Sequence, residues 1–248
     1  MKHLANPPNE MFIRLCLLAL LALSSCEPIF ERDISGRVLS IKGKGQRRTN
    51  GQSIDLTTGS WFKRGDTIVS AQNSHVDLMI LPGLLVELES ESEIEIIDLR
   101  LKRDGYETTL PMRARRAKLR LLHGALSASV GRDPHHPRLM IETPVGTLSA
   151  ASGRTFRLET TQDKIRVLSI RRKINFESRD GRSMQVQAGY SAEWPPTATG
   201  PQAAWQLGPD AQNRLNQVLE TEKNLLRLER QNRFSLMPWT VNAGVGRP

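Results

Sequence analysis

The stretch LVELESESEIEII, Leu85 to Ile97, sets a glutamate at every second position: Glu87, Glu89, Glu91, Glu93 and Glu95. In an extended strand successive side chains point to opposite faces. The five carboxylates then share one face, while Val86, Leu88, Ile94 and Ile96 share the other with Ser90 and Ser92 between them. Such a row reads as a metal site, a catalytic cluster or the wet side of a strand. Carboxylates in a single row stand about 6.6 Å apart. A cation or an acid–base pair needs them to converge in a concave site. The stretch is therefore read as one strand with a solvated face and a core face. Like charges in a row repel, and a basic neighbouring strand offsets that by about 0.2–1 kcal/mol per cross-strand pair. Two stretches fit that role: RARRAKLRLL (residues 113–122), with Arg116, Lys118 and Arg120 on one face, and KIRVLSIRRK (residues 164–173).

The same alternation extends on both sides. GRVLSIKG, DTIVSA, SHVDLMIL, KLRLL, ALSASV, LMIETP, RTFRLET, IRVLSI, KINFES and MQVQAG are short aliphatic or β-branched runs separated by Gly, Pro, Asn or Asp. They recur about every 8–12 residues, which is the pattern of a β-sandwich, barrel or roll. No helix-length apolar period occurs before residue 205, which argues against a βαβ nucleotide-binding fold. The predicted fold class is all-β: a short-stranded β-sandwich or β-roll over residues 36–194, followed by one C-terminal α-helix. WPPTATGPQAA supplies a linker over residues 195–208. An amphipathic helix is expected over 209–235. Its stripe of Leu215, Val218, Leu219, Glu222, Leu225, Leu226 and Glu229 would pack on the β-domain or on a partner helix. Residues 236–248 read as a tail.

At the other end, Lys2 and Arg14 precede the apolar run LCLLALLAL, Leu15 to Leu23. The run is about half the roughly 20 residues a membrane-spanning helix needs, and has the length of a secretory signal. LSSC, Leu23 to Cys26, resembles the lipobox of bacterial lipoproteins, which implies cleavage after residue 25 and lipidation of Cys26. Residues 26–35 then form a tether, and Met11 is a plausible alternative start. Cys16 would leave with the signal, so the mature chain would hold no disulfide, which suits an oxidising envelope. Glu27 after the cysteine leans toward the outer membrane. The chain is basic, with a formal charge of +9, and attracts acidic partners such as lipid headgroups, peptidoglycan, other glycans or an acidic face of an envelope protein.

The residues also resemble a known family. FKRGDTI centres on Gly65 and Asp66; the serine-led hairpin of residues 73–96 carries Ser74 and Gly83; LLHGALSASV carries Gly124. IETPVGTLSAASGRTFRLE carries Thr143, Pro144, Gly146, Gly153 and Phe156, and MQVQAGYSA closes with Gly189. In this order the blocks resemble the FecR-like periplasmic domain. The chain departs from that pattern where Arg154 intervenes between Gly153 and Thr155, and where Arg171 and Arg172 replace a glycine after VLSI. The family's regulators relay a signal from an outer-membrane transporter to a cytoplasmic sigma-factor-binding segment. Without that segment, the expectation here is a stand-alone FecR-type domain on a lipid anchor. Locally, Gly65, Gly83, Gly124, Gly146 and Gly189 suit turns that need a positive φ, and Asp66 suits an Asx-turn onto its downstream backbone.

Gly-x-Ser-x-Gly, His-Glu-x-x-His, Walker and Cys-x-x-Cys patterns are absent. GKGQRR lacks Walker spacing and reads as a basic loop. His135 and His136, adjacent in RDPHHPR, would point apart in an extended segment and make a poor metal pair. No cofactor, metal or catalytic set is expected. The reading is a non-catalytic, lipid-anchored cell-envelope protein with a binding, scaffolding or sensory domain. An envelope hydrolase with an unrecognised site is the alternative. Cytoplasmic nucleic-acid binding comes last, because aromatics are only 5% and no base-reading motif is present.

Overall fold

The structure is a computed structural model in which residues 29–104, 114–132, 138–196, 202–203 and 209–232 are described. Cys26, the signal segment, His135, His136 and the tail lie outside them. The chain opens with β1 (Ile29–Asp33), β2 (Gly36–Lys42), β3 (Gly45–Thr49), β4 (Gln52–Asp55), β5 (Trp61–Phe62) and β6 (Thr67–Ser70). It continues with β7 (His75–Leu81), β8 (Leu84–Leu88), β9 (Glu93–Asp104), β10 (Ala114–Val130), β11 (Arg138–Thr143) and β12 (Gly146–Ala150). Then follow β13 (Arg154–Thr160), β14 (Ile165–Arg171), β15 (Ile174–Ser178), β16 (Ser183–Val186), β17 (Tyr190–Trp194) and β18 (Gln202–Ala203). The helix α1 spans Pro209–Asn232.

The strands form two sheets. The first runs β4–β3–β6–β9–β10–β11–β12–β15–β16, with β1 beside the far half of β9. The second runs β5–β2–β7–β8–β10–β13–β14–β17–β18. β10 belongs to both. Residues 114–123 pair with β9 in the first sheet, and residues 124–130 pair with β8 and β13 in the second. Because β10 folds over, the chain returns to the first sheet at the end where β10 began, and β11 lies parallel to β10. Its second half thus serves as the crossover that a parallel pair requires.

The strands alternate because one face of each is apolar. In β11 and β12, Leu139, Ile141, Leu148 and Ala150 are buried, while Met140 is half-buried and Ser149 exposed. One hydrophobic core fills the space between the sheets, drawing Val38, Phe62, Ile68, Leu78, Val86, Ile94, Leu119, Leu126, Ile141, Phe156, Val167 and Phe176 from both. Each such large side chain, fully buried, contributes about 1.5–3 kcal/mol. Two strands depart from the short-strand expectation. β9 and β10 have 12 and 17 residues. KLRLL and ALSASV are the two arms of the single bent strand β10, joined at Gly124.

The bend shows what the fold requires. Gly43, Gly59, Gly65, Asn73, Glu91, Gly124, Gly153, Arg172 and Gly189 each lie where the chain passes from one sheet to the other, and each takes a positive φ. At Gly124 (φ 87) a Cβ would overlap the Ser92 hydroxyl and lie 2.6 Å from Ser92 Cα. Ser92 Oγ accepts from Ala125 N at 2.8 Å and donates to Ser90 O at 3.0 Å. The passage from β2 to β3 repeats this arrangement. Ser74 Oγ accepts from Lys44 N at 2.9 Å and donates to Gln72 O at 3.1 Å, and a Cβ on Gly43 would lie 2.9 Å from Ser74 Cβ. Each serine follows a residue in the left-handed region, Asn73 (φ 54) or Glu91 (φ 51). Gly146 corrects the expectation of a positive φ: it is absent from the positive-φ residues, and glycine is needed there because a Cβ would overlap Glu177 O and lie 2.5 Å from Phe176 Cζ.

α1 packs on the outer face of the second sheet. Val218, Thr221, Glu222 and Leu225 are its buried positions, a spacing that gives one helical face. Leu225 contacts a patch of Leu39, Met79 and Leu85, from β2, β7 and β8.

Gly124→Ala is expected to destabilise the protein by about 3 kcal/mol, through the left-handed backbone and the overlap with Ser92. Gly51→Ala, whose Cβ would meet nothing within 4 Å at φ 79, is expected to cost about 1 kcal/mol. Denaturant midpoints of the two variants measure the difference.

Candidate functional site

The glutamate row is broken at Glu91. β8 ends at Leu88 in the second sheet, residues 89–92 turn, and β9 starts at Glu93 in the first sheet. The single solvated strand face is thus corrected. Val86, Leu88, Ile94 and Ile96 do face the core, but the carboxylates divide between the two outer faces of the sandwich.

On the second sheet, α1 makes the outer face partly dry. Glu87 is buried and meets His75 Nδ1 at 2.8 Å. Asp77, also buried, accepts from Ser40 Oγ and stands 3.5 Å from Asn224 Nδ2 of the helix. Burial pushes the Asp77 carboxyl above the usual carboxylate range; Glu87 adds to that, while the Ser40 bond and His75 oppose it. Glu89 forms a two-pronged pair with Arg157 of β13, Nε–Oε1 2.8 Å and Nη2–Oε2 2.8 Å, and accepts from Ser127 Oγ at 3.2 Å. Arg157 Nη1 also reaches Glu159 at 2.7 Å. Burial works against the Arg157 charge, and its bonds to the two glutamates outweigh that and raise its pKa. Glu222 of α1 accepts from Thr155 Oγ1 at 2.8 Å and pairs with Arg171 Nε at 3.0 Å.

On the first sheet, Glu93 pairs with Arg48 at 3.1 Å and Glu95 with Arg120 at 2.8 Å. Arg120 and Lys118 share Glu142, at 2.9 and 2.6 Å. The bond from Lys118 is the main cause holding the Glu142 carboxyl below its usual range; burial opposes it and Arg120 assists. Of the two basic stretches, residues 113–122 therefore do neighbour the row. Residues 164–173 do not: β14 lies between β13 and β17. The partner of Glu89 instead comes from RTFRLET. An open groove of about 560 Å³ runs past the turn, lined by His75, Glu89, Glu91, His123, Arg157 and Thr161 among others. Its buried-side carboxylates are already bound to basic groups. No cluster of three or more His, Cys, Asp or Glu able to hold a metal occurs among the described residues.

The remaining sequence-named residues shape turns. Asp66 is buried, and its carboxylate accepts from the upstream Lys63 N at 2.8 Å and from Thr49 Oγ1 at 2.7 Å. The expected downstream Asx-turn is corrected to this backward cap beside Gly65. Thr143 Oγ1 donates to Gly146 O at 2.9 Å and accepts from Gly146 N at 3.2 Å, closing the Pro144 turn. Gly83 turns β7 into β8, Phe156 is fully buried, and Gly189 turns β16 into β17. They sit at separate turns of the two sheets, with Phe156 in the core between them. Asp77, Arg157 and Arg172 are the functional-looking residues sequence reasoning missed. A lone Asp in the apolar SHVDLMIL run was the available signal for the first.

Among the described residues no helix is long and apolar enough to cross a membrane. Residues 66–174 match the family described as FecR protein. The strands before and after that span complete the same two sheets. A crystal structure of a candidate anti-sigma factor from Parabacteroides distasonis ATCC 8503, at 1.65 Å resolution, is 15% identical and aligns over 57% of this chain and 65% of its own, with a TM-score of 0.40. A second such structure, at 2.50 Å, is 16% identical over 57% and 64%, with a TM-score of 0.39. The chain spans less than two thirds of the length of either. No curated protein matches it.

Asp77 has a folded-state pKa above its unfolded value. Its favourable contribution is thus complete below the ordinary carboxylate range and is lost as pH rises through the folded pKa. Asp77→Asn is expected to be more stable than the parent at pH 8, with the gap closing at about pH 3.5, below the ordinary Asp pKa. Denaturant unfolding at the two pH values measures it.

Proposed function

We propose that this chain is a non-catalytic, lipid-anchored protein of the bacterial cell envelope, whose FecR domain binds or senses an acidic partner. The observation that carries this reading is the match to the FecR family over residues 66–174, since FecR-like proteins are sensory components of the envelope. The charge pattern supports it. The carboxylates that looked chemically promising, Glu87, Glu89, Glu93 and Glu95, are each engaged by a basic side chain. The formal charge of +9 favours an acidic partner over a basic one. The address rests on LCLLALLAL followed by LSSC, with Cys26 as the lipidated residue. Acyl chains there would hold the domain at a membrane surface, each buried methylene contributing about 0.8 kcal/mol.

Metabolic labelling with a clickable fatty acid tests the anchor. The parent is expected to carry label and to sediment with membranes; Cys26→Ala is expected to lose the label. In the same cells, the crosslinked partner is expected to diminish as salt rises from low to physiological strength. Intact, unlabelled parent protein in the cytosolic fraction would contradict the reading.

A further inference from the structure

We infer that the end of the sandwich around Gly153 is a binding site for a phosphate group, held by the guanidinium groups of Arg132, Arg154 and Arg172. Three connections meet there: the residues leaving β10, the β12–β13 turn and the β14–β15 link. They are tied to one another by the backbone. Gly153 N donates to Val130 O at 2.8 Å and to Gly131 O at 3.3 Å, and Ser152 Oγ donates to Gly131 O at 3.0 Å. The glycine leaves room for two of the three side chains: a Cβ on it would lie 3.2 Å from Arg172 Nε and 3.3 Å from Arg132 Cγ. Arg154 is oriented from behind, its Nε donating to Lys173 O at 2.7 Å, which leaves its terminal nitrogens unspent.

Among the described residues no carboxylate pairs with Arg132, Arg154 or Arg172. Glu222, which reaches the adjacent Thr155 and Arg171, is spent on those two. Burial and the neighbouring charge of Arg172 hold the Arg154 pKa below the usual arginine range, as expected where like charges are held close together. Gathered like charges of this kind match an oxyanion. A single carboxylate is satisfied by one guanidinium fork, whereas a tetrahedral phosphate dianion can accept from several at once.

Arg172 adds a second, independent observation. It takes φ 61 at the passage from β14 to β15, where glycine serves at six of the other passages (43, 59, 65, 124, 153 and 189) and Asn73 and Glu91 at two. A side-chain-bearing residue is disfavoured in that backbone region, and here it is fixed by Ser169 Oγ donating to Arg172 O at 2.5 Å. The fold alone would be served better by glycine. Strain retained at a position that adds a guanidinium to the cluster points to a use for that group.

The full chain is titrated with inorganic phosphate by calorimetry and, separately, sedimented with vesicles of phosphatidic acid or of phosphatidylcholine. Saturable binding of phosphate, of phosphatidic acid vesicles over phosphatidylcholine ones, or of both supports the site; phosphate alone assigns a free anion, and vesicles alone a lipid headgroup. Arg172→Gly and Arg154→Gln are expected to weaken that binding at least tenfold. Lys164→Gln, in the exposed β13–β14 turn, is expected to leave it unchanged. Arg172→Gly is also expected to melt no lower than the parent, because it relieves the backbone, and so separates lost binding from lost folding. Absence of saturable binding to either probe would overturn the inference. So would Arg172→Gly and Arg154→Gln binding as the parent does, or Lys164→Gln weakening binding as much as they do.

Discussion

The structure depends on one backbone constraint: a chain that alternates between two facing sheets must reverse its direction sharply, and it does so through residues in the left-handed region. At Gly124 and Gly43 the corner is closed by a serine hydroxyl from a neighbouring corner, which takes the amide just past the glycine. The serine occupies the space where a Cβ would stand, so corner and cap exclude any other residue at the glycine. Two such corners bring β2 and β10 from one sheet to the other, and the core fills between the two layers.

The same constraint arranges the charges. Because the chain turns at Glu91, a row of like charges along the sequence becomes two short groups on opposite outer faces. Each group meets arginines from strands that the roll places beside it: Arg157 for Glu89, Arg48 and Arg120 for Glu93 and Glu95. Repulsion within the row is replaced by cross-strand attraction. The helix then covers part of the second sheet. There Asp77 and Glu87 are buried among Ser40, His75 and Asn224 instead of facing water. At the opposite extreme, the cluster at Gly153 collects arginines that no carboxylate among the described residues pairs with.

Much of the fold was legible in the sequence, and the reasons are local. Period-two alternation marks inward positions correctly in the glutamate row itself, where Val86, Leu88, Ile94 and Ile96 all reach the core. Glycines at 65, 83, 124 and 189 announce their turns, because few other residues are at ease with a positive φ. The misreading arose where a corner carries a side chain. Glu91 looks like one more rung of an alternating strand, yet its backbone is left-handed; Asn73 and Arg172 hide corners in the same way. Pairing between distant strands leaves no local trace either, so Arg157 could not be named as the partner of Glu89 from spacing alone. The buried Asp77 escaped for a related reason: its environment is made by a helix more than a hundred residues away in the chain. Of the candidate site, the turn residues were legible as turns, and the arginine cluster was visible only as a departure, Arg171-Arg172 standing where a glycine was expected.

The fold thus rests on corners made by glycine or by a side-chain-bearing residue held in the same backbone region. The turn at Glu91 is the most direct place to test this, by comparing the denaturant stability of Glu91→Gly with that of Glu91→Val. A left-handed corner predicts that the glycine variant is at least as stable as the parent and that the valine variant loses about 1 kcal/mol or more. A continuous strand through residues 85–97 predicts the reverse order, since valine favours and glycine weakens a strand, and that order would contradict the account.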